Sequence, residues 1–153
     1  HTNDTLKVND YICSGPISGV VTVGRTGTFA SINEALSTID LCGASGTVTI
    51  SIQPGTYVET LDLTTPVKGM TSQDTLIFES TTGDYANVII QTDGDAKTDK
   101  GVVELGIDNV AFRNITLYSS TVSGGAYTYA KCVNIKNNCN NQSNYSNKSC
   151  RNI

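Results

Sequence analysis

Positive charge is scarce in this 153-residue chain and nowhere concentrated: ten Lys and Arg face fourteen Asp and Glu, for a net charge of −4. The electrostatic footprint that phosphate recognition demands is missing, which excludes nucleic acid as a partner. No apolar run approaches the roughly 20 residues of a membrane-spanning helix, so insertion by that route is excluded as well. The opening residues His1-Thr2-Asn3-Asp4-Thr5 lack the charged and apolar regions of a signal peptide. No Cys-x-x-Cys pair occurs, which argues against a zinc ribbon and a thioredoxin-like site. The one histidine, His1, sits where a purification tag begins. A copper site built on its amine and ring would need a second histidine, and there is none.

What is present points to β-structure. Thr, Ser and Asn fill 49 positions while only 16% of residues are charged, a balance poor in helix formers and rich in strand and turn formers. The length suits one domain with its own core. Five cysteines, Cys13, Cys42, Cys132, Cys139 and Cys150, are many for a cytosolic chain and read as disulfide candidates in an oxidising setting. At most two bridges can close within the chain, leaving one cysteine buried, free or joined to a neighbour.

Along the chain, residues 1–18 read as a polar arm ending in the turn-forming Cys13-Ser14-Gly15-Pro16. Val20 to Val23 is a β-branched run stopped by Gly24-Arg25-Thr26-Gly27. The period then changes. Phe29, Ile32, Leu36 and Ile39 recur at spacings of three and four, which predicts a helix over about 29–41 with Thr28 as N-cap and Gly43 past its end. Strands separated by turns follow: Val48 to Ile52, Tyr57 to Leu63, Leu76 to Phe78, Val88 to Ile90, Val102 to Leu105, Val110 to Phe112, Ile115 to Leu117 and Cys132 to Ile135. Corresponding segments return after 28 residues (Val48 to Leu76), 34 (Leu76 to Val110) and 23 (Val110 to Val133), periods proper to stacked-coil proteins.

A solenoid follows from this pattern. Each coil's strands pair with the coils above and below, and inward side chains extend one continuous core. Its ends would be open sheet edges, which natural proteins cover. The helix is placed to do so, with its Phe29, Ile32, Leu36 and Ile39 face on the first coil. The expected organisation is an arm over 1–18 and a single β-helix domain over 19–153, with coils from about 47. Residues 134–153 hold eight asparagines, suited to tight turns and amide ladders, and read as a final coil or turn. Cys132-Val133-Asn134-Ile135 and Cys150-Arg151-Asn152-Ile153 look like related beginnings.

The segments Val21–Gly24, Gly27–Leu36, Ser45–Glu59, Asp74–Asp84 and Asp108–Leu117 together resemble the right-handed parallel β-helix of the pectin-lyase-like superfamily over about residues 18–120. They look most like the β-helix modules of large secreted surface proteins of Bacteroidetes-type bacteria. The resemblance implies an all-β solenoid with one N-terminal capping helix; fold alone does not transmit activity. Pectinesterases of this superfamily carry two aspartates, glutamines and an arginine on later coils. Gln73-Asp74-Thr75-Leu76 spells a string of those enzymes, but ahead of Phe112 to Thr116 rather than after it, so it reads as coincidence. No glutamine-bearing strand or Gly-Asp turn follows Leu117. No catalytic residue is assigned.

Polyuronate lyases of the fold use calcium-binding carboxylates and a Lys or Arg base. Asp93, Asp95 and Asp99, with Lys97 and Lys100 beside them, form an acidic turn that is a weak calcium candidate. The resemblance implies no other cofactor. Asp4-Thr5-Leu6 and Asp74-Thr75-Leu76 resemble the O-glycosylation acceptor pattern of the same bacteria, which marks Thr5 and Thr75. Asn3, Asn114, Asn141, Asn144 and Asn147 fit the N-glycosylation rule. Tyr118, Tyr127, Tyr129 and Tyr145 offer faces for sugar stacking. The expected function is a non-catalytic structural module, secreted or at the cell surface, in an adhesin, stalk or self-associating fibre. Its expected partners are neighbouring coils or other copies. The alternative is a carbohydrate-binding or carbohydrate-active domain, or part of a longer enzyme acting on acidic polysaccharide.

Overall fold

The computed structural model describes residues 13–92, 101–119 and 132–135. After β1 (Ile17–Val23) and α1 (Ile32–Cys42), nine strands follow in threes. These are β2 (Ala44–Ile52), β3 (Gly55–Val58) and β4 (Leu61–Leu63); then β5 (Leu76–Ser80), β6 (Val88–Thr92) and β7 (Val103–Leu105); then β8 (Val110–Arg113), β9 (Thr116–Ser119) and β10 (Val133–Ile135). β1 pairs in parallel with β2, and from β2 on each strand pairs in parallel with the one three places on, giving sheets ordered β1-β2-β5-β8, β3-β6-β9 and β4-β7-β10. The fold is a β-solenoid of about three turns with one helix.

Period-two alternation places one set of side chains inside each sheet, and parallel register stacks them from coil to coil. In the first sheet Val48, Leu76 and Val110 form one column, and Val21, Ile50, Phe78 and Phe112 another. The second sheet contributes Tyr57, Ile90 and Leu117, the third Leu61, Val103 and Val133. All belong to, or pack against, one hydrophobic cluster. The Phe78 and Phe112 rings stack with centroids 4.8 Å apart and planes 10° from parallel.

The helix caps this interior, though it starts later than the periodicity suggests. Ser31, not Thr28, is the N-cap: its hydroxyl accepts the Glu34 N–H, and the Glu34 carboxylate accepts the Ala30 N–H. These two bonds, a relative of the capping box in which the glutamate reaches the residue before the N-cap, fix the first turn beyond Phe29. Phe29 is buried all the same, bridging Val23 in extended conformation. Ile32, Ala35 and Ile39 are buried, and Gly43 ends the helix as expected. Glu59, at the corner between β3 and β4, reaches the helix from the first coil. Its two oxygens accept the Ile32 and Asn33 N–H groups at 3.1 and 2.8 Å. A carboxylate there satisfies two orphan donors and complements the helix dipole. The Cys13–Cys42 disulfide ties the lead-in to the last residue of α1.

Three expectations change. Tyr57 to Leu63 alternates without interruption in sequence but breaks into β3 and β4, because Glu59 and Thr60 turn the corner. Val133 does not continue the column of Val110: it pairs with Val103 in the third sheet. Spacing alone could not say which face a strand joins, and β10 completes the third coil instead of opening a fourth. The first strand begins at Ile17, inside the stretch read as an arm; Phe29 bridges it at Val23, and Gly19 (φ 74°) and a register shift between Ile17 and Gly19 interrupt its other end.

Candidate functional site

Long turns between the third sheet and the first wall the larger described cleft. Residues 64–75 link β4 to β5 and residues 106–109 link β7 to β8, and between them opens a cavity of about 300 Å³. Val67, Met70 and Ile107 give it an apolar floor; Asp74 and Asp108 bring carboxylates to its rim. The longer turn lies tight on β2. Ala44 donates its N–H to the Lys68 carbonyl at 2.7 Å, and Gly69, at φ 87°, sits where a Cβ would run into the Ala44 carbonyl. Asn109 closes the other wall, its amide donating to the Ser72 carbonyl at 3.1 Å.

Asp74 belongs to the string Gln73-Asp74-Thr75-Leu76, and its surroundings explain what it does. One carboxylate oxygen accepts both the Thr71 N–H and the Thr71 hydroxyl at 2.8 Å. These bonds, the backbone one first, hold its pKa below the ordinary aspartate value. Asp74 is therefore a turn staple kept ionised, the reverse of a general acid. Because the folded-state pKa is the lower one, the stability it confers is present above the unfolded value and fades as pH falls through the folded value. The stability gap between wild type and Asp74→Asn should be constant near neutrality and shrink as pH drops below about 4. Urea unfolding at a series of pH values measures it; a gap that persisted unchanged into strong acid would refute the assignment.

A second groove, of about 240 Å³, lies between α1 and β4, floored by Leu36, Leu63 and Val67 with Asp40 and Asp62 beside it. Asp62 is held by its own turn, accepting the Thr64 hydroxyl at 2.6 Å and the Thr64 N–H at 3.2 Å. Its column on the outside of the third sheet continues through Glu104 to Asn134. Glu104 points away from the core yet is only 5% exposed. Its carboxylate accepts the Gly101 N–H and both oxygens receive the Asn134 amide, at 3.2 and 3.0 Å. Sequence reading missed this carboxylate, since a glutamate in an alternating strand looks like an ordinary outward residue. Tyr57, whose hydroxyl donates to the Gln53 carbonyl, has its pKa raised by burial and by the nearby Glu59 charge.

Of the residues singled out from sequence, Cys13 and Cys42 form a disulfide and Cys132 is also disulfide-bonded. Thr75, the residue before β5, is half-buried, its N–H donating to the Thr47 hydroxyl. Tyr118 lies on β9 in register with Gln91 and Val58, apart from the cleft. The calcium candidates Asp93, Asp95 and Asp99 lie outside the described residues, as do Thr5, Asn141, Asn144, Asn147, Cys139, Cys150 and the other platform tyrosines. Among the described residues, no three His, Cys, Asp or Glu side chains come together.

No protein-family model matches the chain, and no curated protein matches its sequence. Its fold is similar to that of a pectin methylesterase from Aspergillus niger, in penultimately deglycosylated form, at TM-score 0.56 and 25% identity. The match covers 79% of this chain and 40% of the esterase. The deglycosylated form of that enzyme gives TM-score 0.52 and 24% identity, over 79% and 39% of the two chains. The chain thus spans about two fifths of the length of the esterase it matches, and it shares with it the parallel β-helix of the pectin-lyase-like fold.

Proposed function

We propose that the chain is a non-catalytic extracellular structural module, a capped and stapled stretch of β-helix serving an adhesin, stalk or self-associating fibre of the secreted surface-protein kind. The observation that carries this reading is how its carboxylates are used. Nine Asp and Glu lie among the described residues, and six of them, Glu34, Glu59, Asp62, Asp74, Asp84 and Glu104, bind a turn, a cap or a neighbouring strand. Side chains so engaged hold coils in register and are poorly placed to exchange protons with a substrate. The Cys13–Cys42 bridge supports an oxidising, extracytoplasmic setting.

The test is turnover. Incubated with methyl-esterified pectin and with polygalacturonate, with and without calcium, the protein should release neither methanol nor acid and form no ultraviolet-absorbing unsaturated product above a heat-denatured blank. Turnover abolished by replacing a described carboxylate would overturn the reading. A second reading, carbohydrate binding or carbohydrate-active chemistry on acidic polysaccharide, is favoured by the likeness to the pectin methylesterase. Saturable binding of a pectin fragment, weakened by filling the cleft with Ile107→Trp, would support its binding form.

A further inference from the structure

Five asparagines lie among the described residues, and four of them commit the side-chain amide to a neighbour. Asn33 donates to the Thr60 carbonyl at 3.3 Å, Asn87 to the Thr82 hydroxyl at 3.0 Å, Asn109 to the Ser72 carbonyl at 3.1 Å and Asn134 to the Glu104 carboxylate at 3.0 Å. Asn114 is the exception. It stands exposed at the corner between β8 and β9, and its amide has no partner among the described residues.

Asn109 makes the contrast sharp, because both residues hold left-handed backbone, at φ 58° for Asn109 and 52° for Asn114. Asparagine tolerates that conformation. At Asn109 the side chain then fastens two turns together. At Asn114 the corner uses the backbone alone and leaves the amide to solvent. The residue two places on separates the five in the same way. Ala35, Ile89, Ala111 and Lys136 follow the engaged asparagines, while Thr116 follows Asn114, with Ile115 and not proline between. The one free amide is therefore the one that opens an Asn-x-Thr acceptor string.

We infer that Asn114 is an N-glycosylation site, loaded from a lipid-linked oligosaccharide pyrophosphate as the chain passes through a secretory route. Asn114 Nδ2 attacks the anomeric carbon of the first sugar. The C–N bond forms as the C–O bond to pyrophosphate breaks, the lipid pyrophosphate departs, and one amide proton passes to a base of the transferase. The Cys13–Cys42 bridge calls for the same oxidising compartment. Transfer precedes folding, since the Thr116 hydroxyl ends up donating to the Tyr85 carbonyl at 2.8 Å. After folding, the glycan must lie outside. At Asn33, Asn87, Asn109 or Asn134 it would displace a bond that holds turns or strands together; at Asn114 it displaces none.

Occupancy of Asn114 is independent of the turnover assay above and is read by mass. The full chain, secreted from insect cells behind a signal peptide, is denatured, treated with peptide N-glycosidase in heavy-oxygen water and cut with chymotrypsin. The peptide Arg113–Leu117 holds no other acceptor string, and in most molecules it should carry aspartate with heavy oxygen at position 114. Asn114→Gly should remove that glycan and leave the far-ultraviolet circular dichroism unchanged, because glycine takes the left-handed corner freely. Thr116→Ser should keep the label and Thr116→Val should lose it, since the acceptor rule requires a hydroxyl two residues on. Unlabelled Asn114 in the secreted wild type would overturn the inference, whether or not the chain is glycosylated elsewhere. So would label that survives Thr116→Val, or label confined to chain retained inside the cells.

Discussion

Phe78→Ala should lower the stability of the folded chain by about 4 kcal/mol, near the upper end of what a single core truncation costs. The ring is fully buried, and it stands in the middle of the column that runs from Val21 through Ile50 to Phe112. Its removal forfeits transfer free energy and leaves a cavity between two coils whose backbones are pinned by ladders on either side. Phe112, half-buried on the last described strand of the sheet, should cost about half as much when truncated, since its ring is the less buried of the two. The two rings lie nearly parallel at 4.8 Å. The double variant should therefore be less destabilised than the sum of the singles, by about 1 kcal/mol. Urea unfolding of all four proteins measures this. A cost below about 1 kcal/mol for Phe78→Ala would mean that the coils do not share one interior.

The same column shows what the sequence made legible. Apolar residues at period two, returning after 28 and then 34 positions, were enough to predict that Val48, Leu76 and Val110 stack, and they do. The helix was legible for a similar reason: the period changed at one place only. Its start was not, because Phe29 fits the helical face equally well and only the bonds among Ser31, Glu34 and Ala30 decide where the turn begins. Corners were harder still. Glu59 and Thr60 sit inside an unbroken alternation, and nothing local announces that the chain bends there to meet a helix 27 residues earlier in sequence. The candidate site was the least legible part. The cleft arises from two turns of unequal length brought side by side, and turns were read only as separators. Asp74 was noticed for the string around it, while its attachment to Thr71, three residues away, is what defines it.

Removing the Cys13–Cys42 bridge should cost about 3.5 kcal/mol and about 10 °C in melting temperature, the loop-closure value for its sequence separation of 29. The loop it closes contains β1 and the whole of α1, so the bridge governs the cap and leaves the coils beyond it untouched. Besides the bridge, β1 is held by its ladder to β2, and α1 by the buried face of Ile32, Ala35 and Ile39, the two bonds from Glu59 and the Asn33 amide's bond to the Thr60 carbonyl. Stability in a solenoid is a sum over neighbours, and an end unit held by one interface frays first. The Cys13→Ala/Cys42→Ala variant should accordingly keep its far-ultraviolet circular dichroism at 25 °C but lose amide protection over β1 and α1 well before β5 and β6 respond. Equal loss across all coils would mean that the solenoid unfolds as one unit. No loss at all would mean that the apolar face and Glu59 suffice to hold the cap, leaving the staple without a part in closing the first coil.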